Sequence, residues 1–367
     1  MTEVLRVSLE GVLPVRSMIG TMTKRQRINL KLWQPRFTLY PPEDDLDNST
    51  ISEYGACPRK GFYRYGLRRG FKGKSWPIQF GLAFHKYREE VENMMREEKE
   101  GLTDEIHLAA IDIALEGWED PPMEDKKGYL DRLRLFQTCE AAKKRIRNEI
   151  ESGEIEVTRT EDSFDLELPF WVCRSCGWAT LEESETCSKC SEPSLFRARH
   201  GGRIDQFIKD KARKGLDMVK DFKTTSYKPY NYEEKFDPNN QFFGYTWARS
   251  ELSGRKCDGA IIETVHNTKT IGPIITQHYV TYSEGQIEAW QVEQMIERQI
   301  IMTMWSRVEE LGYLAFPKRT QECSSWGGCP FRGACRGGSA FEIEAWLEAR
   351  TIESHWDYTD PNEEAGL

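Results

Sequence analysis

The stretch Gly201-Gly202-Arg203-Ile204-Asp205-Gln206-Phe207-Ile208, the polar loop Lys209–Lys214, and then Leu216-Asp217-Met218-Val219-Lys220-Asp221-Phe222-Lys223 decide how this chain is read. Both flanks are strand-like, Gly215 is a turn signal, and the loop is short enough for a hairpin. Such a hairpin sets Asp205 beside Asp221. A strand repeats every two residues, so Asp221 and Lys223 project from the same side. The two glycines at the start of the first strand permit close approach of a neighbour. Two carboxylates on adjacent strands, with a lysine two residues on, predict a cation site.

The chemistry expected of such a site is phosphodiester hydrolysis. A bound divalent cation polarises the phosphate and lowers the pKa of an attacking water. Magnesium and manganese take oxygen ligands, so carboxylates are the natural hooks. The lysine positions the water and stabilises developing negative charge. An acid-x-Lys triplet alone says little, because Glu97/Lys99, Glu124/Lys126, Asp125/Lys127 and Glu233/Lys235 also match. Those four lie in strongly charged, mostly helical surroundings and read as solvated surface. The alternative for Asp205, Asp221 and Lys223 is a surface hairpin with incidental charges.

Outward from the hairpin, Ile155–Phe170 alternates like a strand, and Leu195–Ile208 and Leu216–Lys223 continue the pattern. A helix is predicted over Asn239–Leu252, strands near Gly259–Val265 and Thr276–Tyr282, and a long helix from about Gly285 to Leu311. Upstream, Phe84 to about Gly117 and about Glu124 to Ser152 are charged and helical, while Ser49, Thr50 and Ser52 are candidate caps before Cys57. Helices flanking a small central sheet give an α/β class. The expected organisation is an N-terminal extension (1–48), a main domain (49–336) with a cysteine-rich insertion (171–194), and a C-terminal helix with an acidic tail (337–367).

Four pieces then stand in a telling order: Gly81-Leu82-Ala83-Phe84-His85, Gly-Gly-Arg-Ile-Asp205, Asp221-Phe222-Lys223, and Gln241-Phe242-Phe243-Gly244-Tyr245. In this order the chain resembles the RecB-like nucleases of the PD-(D/E)XK superfamily, including CRISPR-associated RecB-like and AddB-type members. The resemblance spans roughly residues 50–336. It implies a restriction-endonuclease-like core, a small mixed sheet flanked by helices. It also implies that His85, Asp205, Asp221 and the Phe222 carbonyl bind Mg²⁺ or Mn²⁺, with Lys223 as the catalytic lysine. Gln241 and Tyr245, four apart on one helix face, both point toward the same site. The bland alternatives are a capping or surface His85 and an ordinary helix face for Gln241 and Tyr245.

Cys173-x-x-Cys176, ten residues, and Cys187-x-x-Cys190 form two tight knuckles supplying four thiolates. This is the arrangement of a structural Zn²⁺ ribbon, here extending a hairpin between Phe170 and Leu195. Cys323, Cys329 and Cys335 lack a nearby fourth ligand. In the resembling families a cysteine before the core and three after it hold a [4Fe–4S] cluster that staples the domain, and Cys57 fits the first place. The trailing gaps, five residues each, are wider than the family's, and a four-cysteine site suits zinc as well as iron–sulfur. Cys139 and Cys257 read as ordinary buried thiols.

The net charge is −9, which disfavours nucleic acid only if charge is averaged over the chain. Arg59, Lys60, Arg64, Arg68, Arg69, Lys72 and Lys74 form a basic run free of acids, interleaved with Phe62, Tyr63, Tyr65, Phe71 and Trp76. Cations beside stackable rings suit single-stranded DNA; the alternative is a solvated basic face whose aromatics pack in the core. No stretch approaches the ~20 apolar residues of a membrane span, and the N-terminus lacks a signal pattern. The expected protein is intracellular (cytoplasmic or nucleoid-associated), with no membrane partner. Gly73-Lys74-Ser75 resembles the end of a phosphate-binding loop, but Arg68 occupies the required glycine, so no ATP-driven motor is expected. The sequence thus predicts an exonuclease preferring single-stranded DNA ends, acting in repair, recombination, replication or CRISPR-type processing, alone or beside a helicase or recombinase. The competing readings are a non-catalytic DNA-binding subunit and a zinc-ribbon adaptor.

Overall fold

The computed structural model describes residues 36–356 except 43–45, 73–74, 99–100, 123–128, 230–231, 271 and 325–327. Residues 1–35 of the expected extension, the acidic tail 357–367 and Lys74 therefore lie outside the described residues.

Helix α1 (Asn48–Ala56) starts on Asp47, whose carboxylate accepts the backbone N–H groups of Ser49 and Thr50. The cap is thus an aspartate two positions before Ser49, and the serines and threonine predicted for the role fall inside the helix. A short α2 (Pro58–Gly61), a wide turn (Phe62–Gly66) and β1 (Arg69–Gly70) follow. Next come α3 (Trp76–Glu98), α4 (Asp104–Ala114) and α5 (Arg132–Ser152). The stretch Phe84–Gly117, expected as one helical run, is two helices. Thr103 caps the second through the Ile106 N–H, and Gly101 disfavours continuation of the first.

The sheet is built from β2 (Ile155–Cys173), β3 (Ala179–Thr180), β4 (Leu195–Asp210) and β5 (Leu216–Thr225). Helix α6 (Asn240–Ser253) crosses to β6 (Gly259–His266), and β7 (Ile274–Thr281) closes the edge. Helix α7 (Glu284–Trp305) ends two residues before the short α8 (Val308–Leu311), so the single long helix expected to Leu311 is interrupted. The chain finishes with α9 (Arg332–Cys335), α10 (Ala340–Arg350) and β8 (Ile352–Glu353), which pairs with β1.

Strand order in the main sheet is β3-β2-β4-β5-β6-β7. Only β5 and β6 run parallel; the other neighbours are antiparallel. A parallel pair needs a long crossover, and α6 lies within it. Helices cover both faces. Phe222 and Val265 pack with Phe80, Phe84, Leu135 and Ile146 of α3 and α5 on one face. Phe207, Val219, Ala260 and Ile262 pack with Phe242, Trp247 and Trp290 of α6 and α7 on the other. A third cluster joins both ends of the described chain, with Ile51, Tyr54, Phe62 and Tyr63 against Trp305, Phe316, Phe331 and Leu347.

Candidate active site

The β4–β5 hairpin forms as the sequence predicts, with register running from Asp210↔Leu216 to Gln206↔Lys220. Beyond Gln206 the paired ladder stops. There the Asp205 carboxylate accepts the Phe222 N–H at 2.7 Å, taking the place of a ladder bond. Side chains from both faces reach this point. From α3, His85 Nδ1 approaches Asp205 Oδ2 to 3.5 Å. From β5, Lys223 Nζ lies 2.9 Å from Asp221 Oδ1 and 2.8 Å from Oδ2. From α6, the Gln241 side-chain amide donates to the Tyr245 hydroxyl at 2.9 Å. Burial first, and then the neighbouring carboxylates Asp221 and Asp205, raise the phenol's pKa. His85 sits in the middle of α3 rather than at a helix start, because the helix begins at Trp76.

One member of the site is not visible in the sequence pattern. Glu161 on β2 falls opposite Asp205, between the pairs Thr160↔Gln206 and Asp162↔Ile204. Its φ of 47° is left-handed, a conformation costing roughly 1–2 kcal/mol for a residue with a Cβ. The donor atoms of His85, Glu161 and Asp205 all lie within 4.8 Å of one another. Arg203 Nε pairs with Glu161 Oε2 at 3.1 Å. Long-range strand register creates this neighbour, so only a correct pairing of β2 with β4 could have found it.

The electrostatics suit a cation. Asp221 is 1% exposed, and burial pushes its carboxyl up to about 6. Burial and then the Asp205 carboxylate push Glu161 up to about 9. Burial also raises Asp205, against the pull of Lys223 and the Phe222 N–H. Burial opposes charge on Lys223, but Asp221 and Asp205 outweigh it and hold the ammonium above its ordinary pKa. Burial and then Lys223 depress His85 to about 4, which keeps the imidazole neutral and its lone pair available. Crowded, dehydrated carboxylates beside a neutral imidazole fit a hard divalent ion.

A second donor set lies at the far end of β2. Cys173 Sγ is 3.6 Å from Cys190 Sγ, Cys176 Sγ is 3.6 Å from Cys187 Sγ, and all four sulfurs lie within 4.8 Å of one another. Thiolates around one tetrahedral metal stand about 3.8 Å apart given ~2.3 Å bonds, so this cluster fits a metal ion. It extends the β2–β4 hairpin, and β3 folds back onto Trp171 and Val172. Cys57, Cys323, Cys329 and Cys335 are neighbours without forming so tight a set. The Cys329 N–H reaches the Cys323 carbonyl at 3.2 Å. Burial raises the Cys335 thiol, Arg59 and Lys318 oppose the rise, and the Cys57 thiol nearby adds to it.

The basic run Arg59–Lys74 is largely occupied by the protein itself. Phe62 and Tyr63 are fully buried, as the packed-core alternative has it. Arg59 is 2% exposed and donates to the Phe316 carbonyl. Lys60 and Arg64 pair with Glu53, Arg68 stacks over Tyr40, and Arg69 donates to Thr351. Lys72 is exposed.

The family model described as the PD-(D/E)XK nuclease superfamily matches residues 48–336. Among solved structures, a candidate exonuclease from Eubacterium rectale is 15% identical, with a TM-score of 0.38, covering 83% of this chain and 91% of that one. The structure of SSO0001 is 13% identical, with a TM-score of 0.26, covering 70% of this chain and 77% of that one. No curated protein matches the chain.

Proposed function

Because this chain belongs to the PD-(D/E)XK nuclease superfamily, we propose that it is a divalent-metal-dependent deoxyribonuclease, an exonuclease acting on single-stranded DNA ends. The convergence of Asp205, Asp221 and Lys223 on one point of the β4–β5 hairpin carries this reading. Asp205, Asp221, His85 and the Phe222 carbonyl would hold Mg²⁺ or Mn²⁺, which when bound supplies Lewis-acid polarisation of the phosphate and acidifies water. Lys223 is protonated and held by Asp221, so its ammonium can orient the attacking water and meet the charge developing on the phosphate. Burial keeps the Tyr245 phenol protonated, and Gln241 fixes its oxygen. That hydroxyl can donate to a phosphate oxygen and position the strand. Among the described residues of the basic run, the exposed Lys72 would be available to the DNA backbone.

Around the site, the proposed organisation keeps one nuclease domain over residues 49–336. The 171–194 insertion is a structural zinc ribbon, in keeping with the closeness of its four sulfurs. Cys57, Cys323, Cys329 and Cys335 would hold a [4Fe–4S] cluster. Protein purified anaerobically should then be brown and contain iron, whereas a colourless preparation with two zinc ions per chain would assign zinc instead.

The activity is tested with end-labelled single-stranded DNA and Mn²⁺, comparing wild type with Asp221→Ala and Lys223→Ala. Wild type should release short products from an end without ATP, and each variant should lose roughly 100-fold or more. Equal cleavage by the variants would remove these residues from the chemistry. Substrates blocked at either end give the direction of digestion.

A further inference from the structure

Glu161 stands apart from the four-part motif, yet its geometry ties it to the same centre. It is the third donor in the cluster with His85 and Asp205. Asp221 lies outside that cluster, yet close enough for its charge to act on both His85 and Glu161. Arg203 holds Glu161 Oε2, which leaves Oε1 to turn toward a cation. The donor set is mixed, an imidazole with two carboxylates, as divalent metals of the manganese type accept. Access is open: His85, Glu161 and Arg203 line one cleft of about 450 Å³ with Leu82, Glu89 and Trp118. The side chain of Glu161 is 19% exposed, enough for a hydrated ion to reach it and shed water onto it.

We propose that Glu161 is a metal ligand of this protein, holding a divalent cation together with His85 and Asp205. The proposal rests on the reading of His85 and Asp205 as ligands and adds a carboxylate from a strand outside the motif. Its consequence is tighter metal binding than the motif residues alone would give. His85 and Asp205 would then be shared between the motif ligands and Glu161.

Mn²⁺ binding to the full chain is measured by calorimetry for wild type, Glu161→Gln and Arg203→Gln, with thermal melting of each. Glu161→Gln should weaken Mn²⁺ binding roughly ten-fold or more. Arg203→Gln breaks the same contact but spares the carboxyl group, so it should bind Mn²⁺ more tightly than Glu161→Gln does. Unaltered protein gives an independent reading: Mn²⁺ should protect Glu161 from carbodiimide labelling, located by mass spectrometry. Equal affinity in Glu161→Gln, an equal loss in Arg203→Gln, or no protection of Glu161 would each overturn the assignment. If that happened while wild type cut DNA and Asp221→Ala did not, the nuclease reading would stand without it. Weakened binding in Glu161→Gln alongside a wild type that cuts no DNA would keep the metal site and remove the nuclease reading.

Discussion

Asp221 shows what the site asks of a single residue. Its carboxyl ordinarily titrates near 3.8 and is pushed up to about 6 by burial. A raised acid contributes its stability at low pH, where it is protonated, and loses it as pH rises through about 6. Two pH units are worth about 3 kcal/mol at most, all of it an opposition to the charged form. Asparagine imitates the protonated acid, so Asp221→Asn without metal should be more stable than wild type at pH 8 by about 2–3 kcal/mol. The gap should close by pH 4, and Mn²⁺ should raise the melting temperature of wild type far more than that of the variant. Melting curves at the two pH values, with and without Mn²⁺, check this. Lys223 and Asp221 were legible in the sequence because two residues on one strand share a side. Glu161 was not, since its place beside Asp205 depends on a pairing 44 positions away that no local pattern encodes.

At the scale of elements, the strands were more legible than the helix ends. Alternation marked β2, β4 and β5 to within a few residues, because burial on a sheet imposes a period of two. Helix limits depend on single capping contacts, and Asp47 and Thr103 set them where a broader charged pattern did not. Behind the hairpin, on the side away from Asp221, Lys220 is 1% exposed and lies 3.0 Å from both Glu149 and Glu263. Burial opposes charge on Glu263, but Lys220 and Arg88 outweigh it and hold its carboxyl down at about 2. Removing one member of such a buried pair strands the other. Glu263→Gln should therefore cost about 3 kcal/mol in chemical denaturation. The cysteine insertion is anchored differently. Gly177 has φ 76°, and a Cβ there would sit 2.3 Å from the backbone nitrogen of Thr303 on α7. The Ala179 N–H next to it donates to Gln299. Gly177→Ala should lift the insertion off α7, lowering stability by about 2 kcal/mol and exposing residues 174–194 to protease.

The whole molecule is closed by contacts between its two ends. Phe62 stacks on Phe316 with ring centroids 4.2 Å apart, and Tyr63 meets Phe331. Cys57 and Cys335 belong to the same region, so a cluster held there would tie residues before the sheet to residues after it. Cys335→Ser should lower the melting temperature of the entire domain, and an unchanged melting curve would argue that the aromatic packing alone suffices. The burial of Phe62 and Tyr63 was legible only as the alternative to DNA contact, because it depends on which end of the chain comes back to meet them.

Strand β2 runs from Ile155 to Cys173, with shifts of register after Val157 and after Glu167, and carries Glu161 near one end and the first ribbon cysteine at the other. At about 3.3 Å per residue, those twelve positions span at most roughly 40 Å, about the length of a dozen stacked nucleotides at ~3.4 Å each. A ribbon that gripped the substrate would do so that far from the scissile bond. Chemical footprinting would then show two protected patches separated by an exposed gap, and oligonucleotides too short to bridge it would be cut without any help from the ribbon.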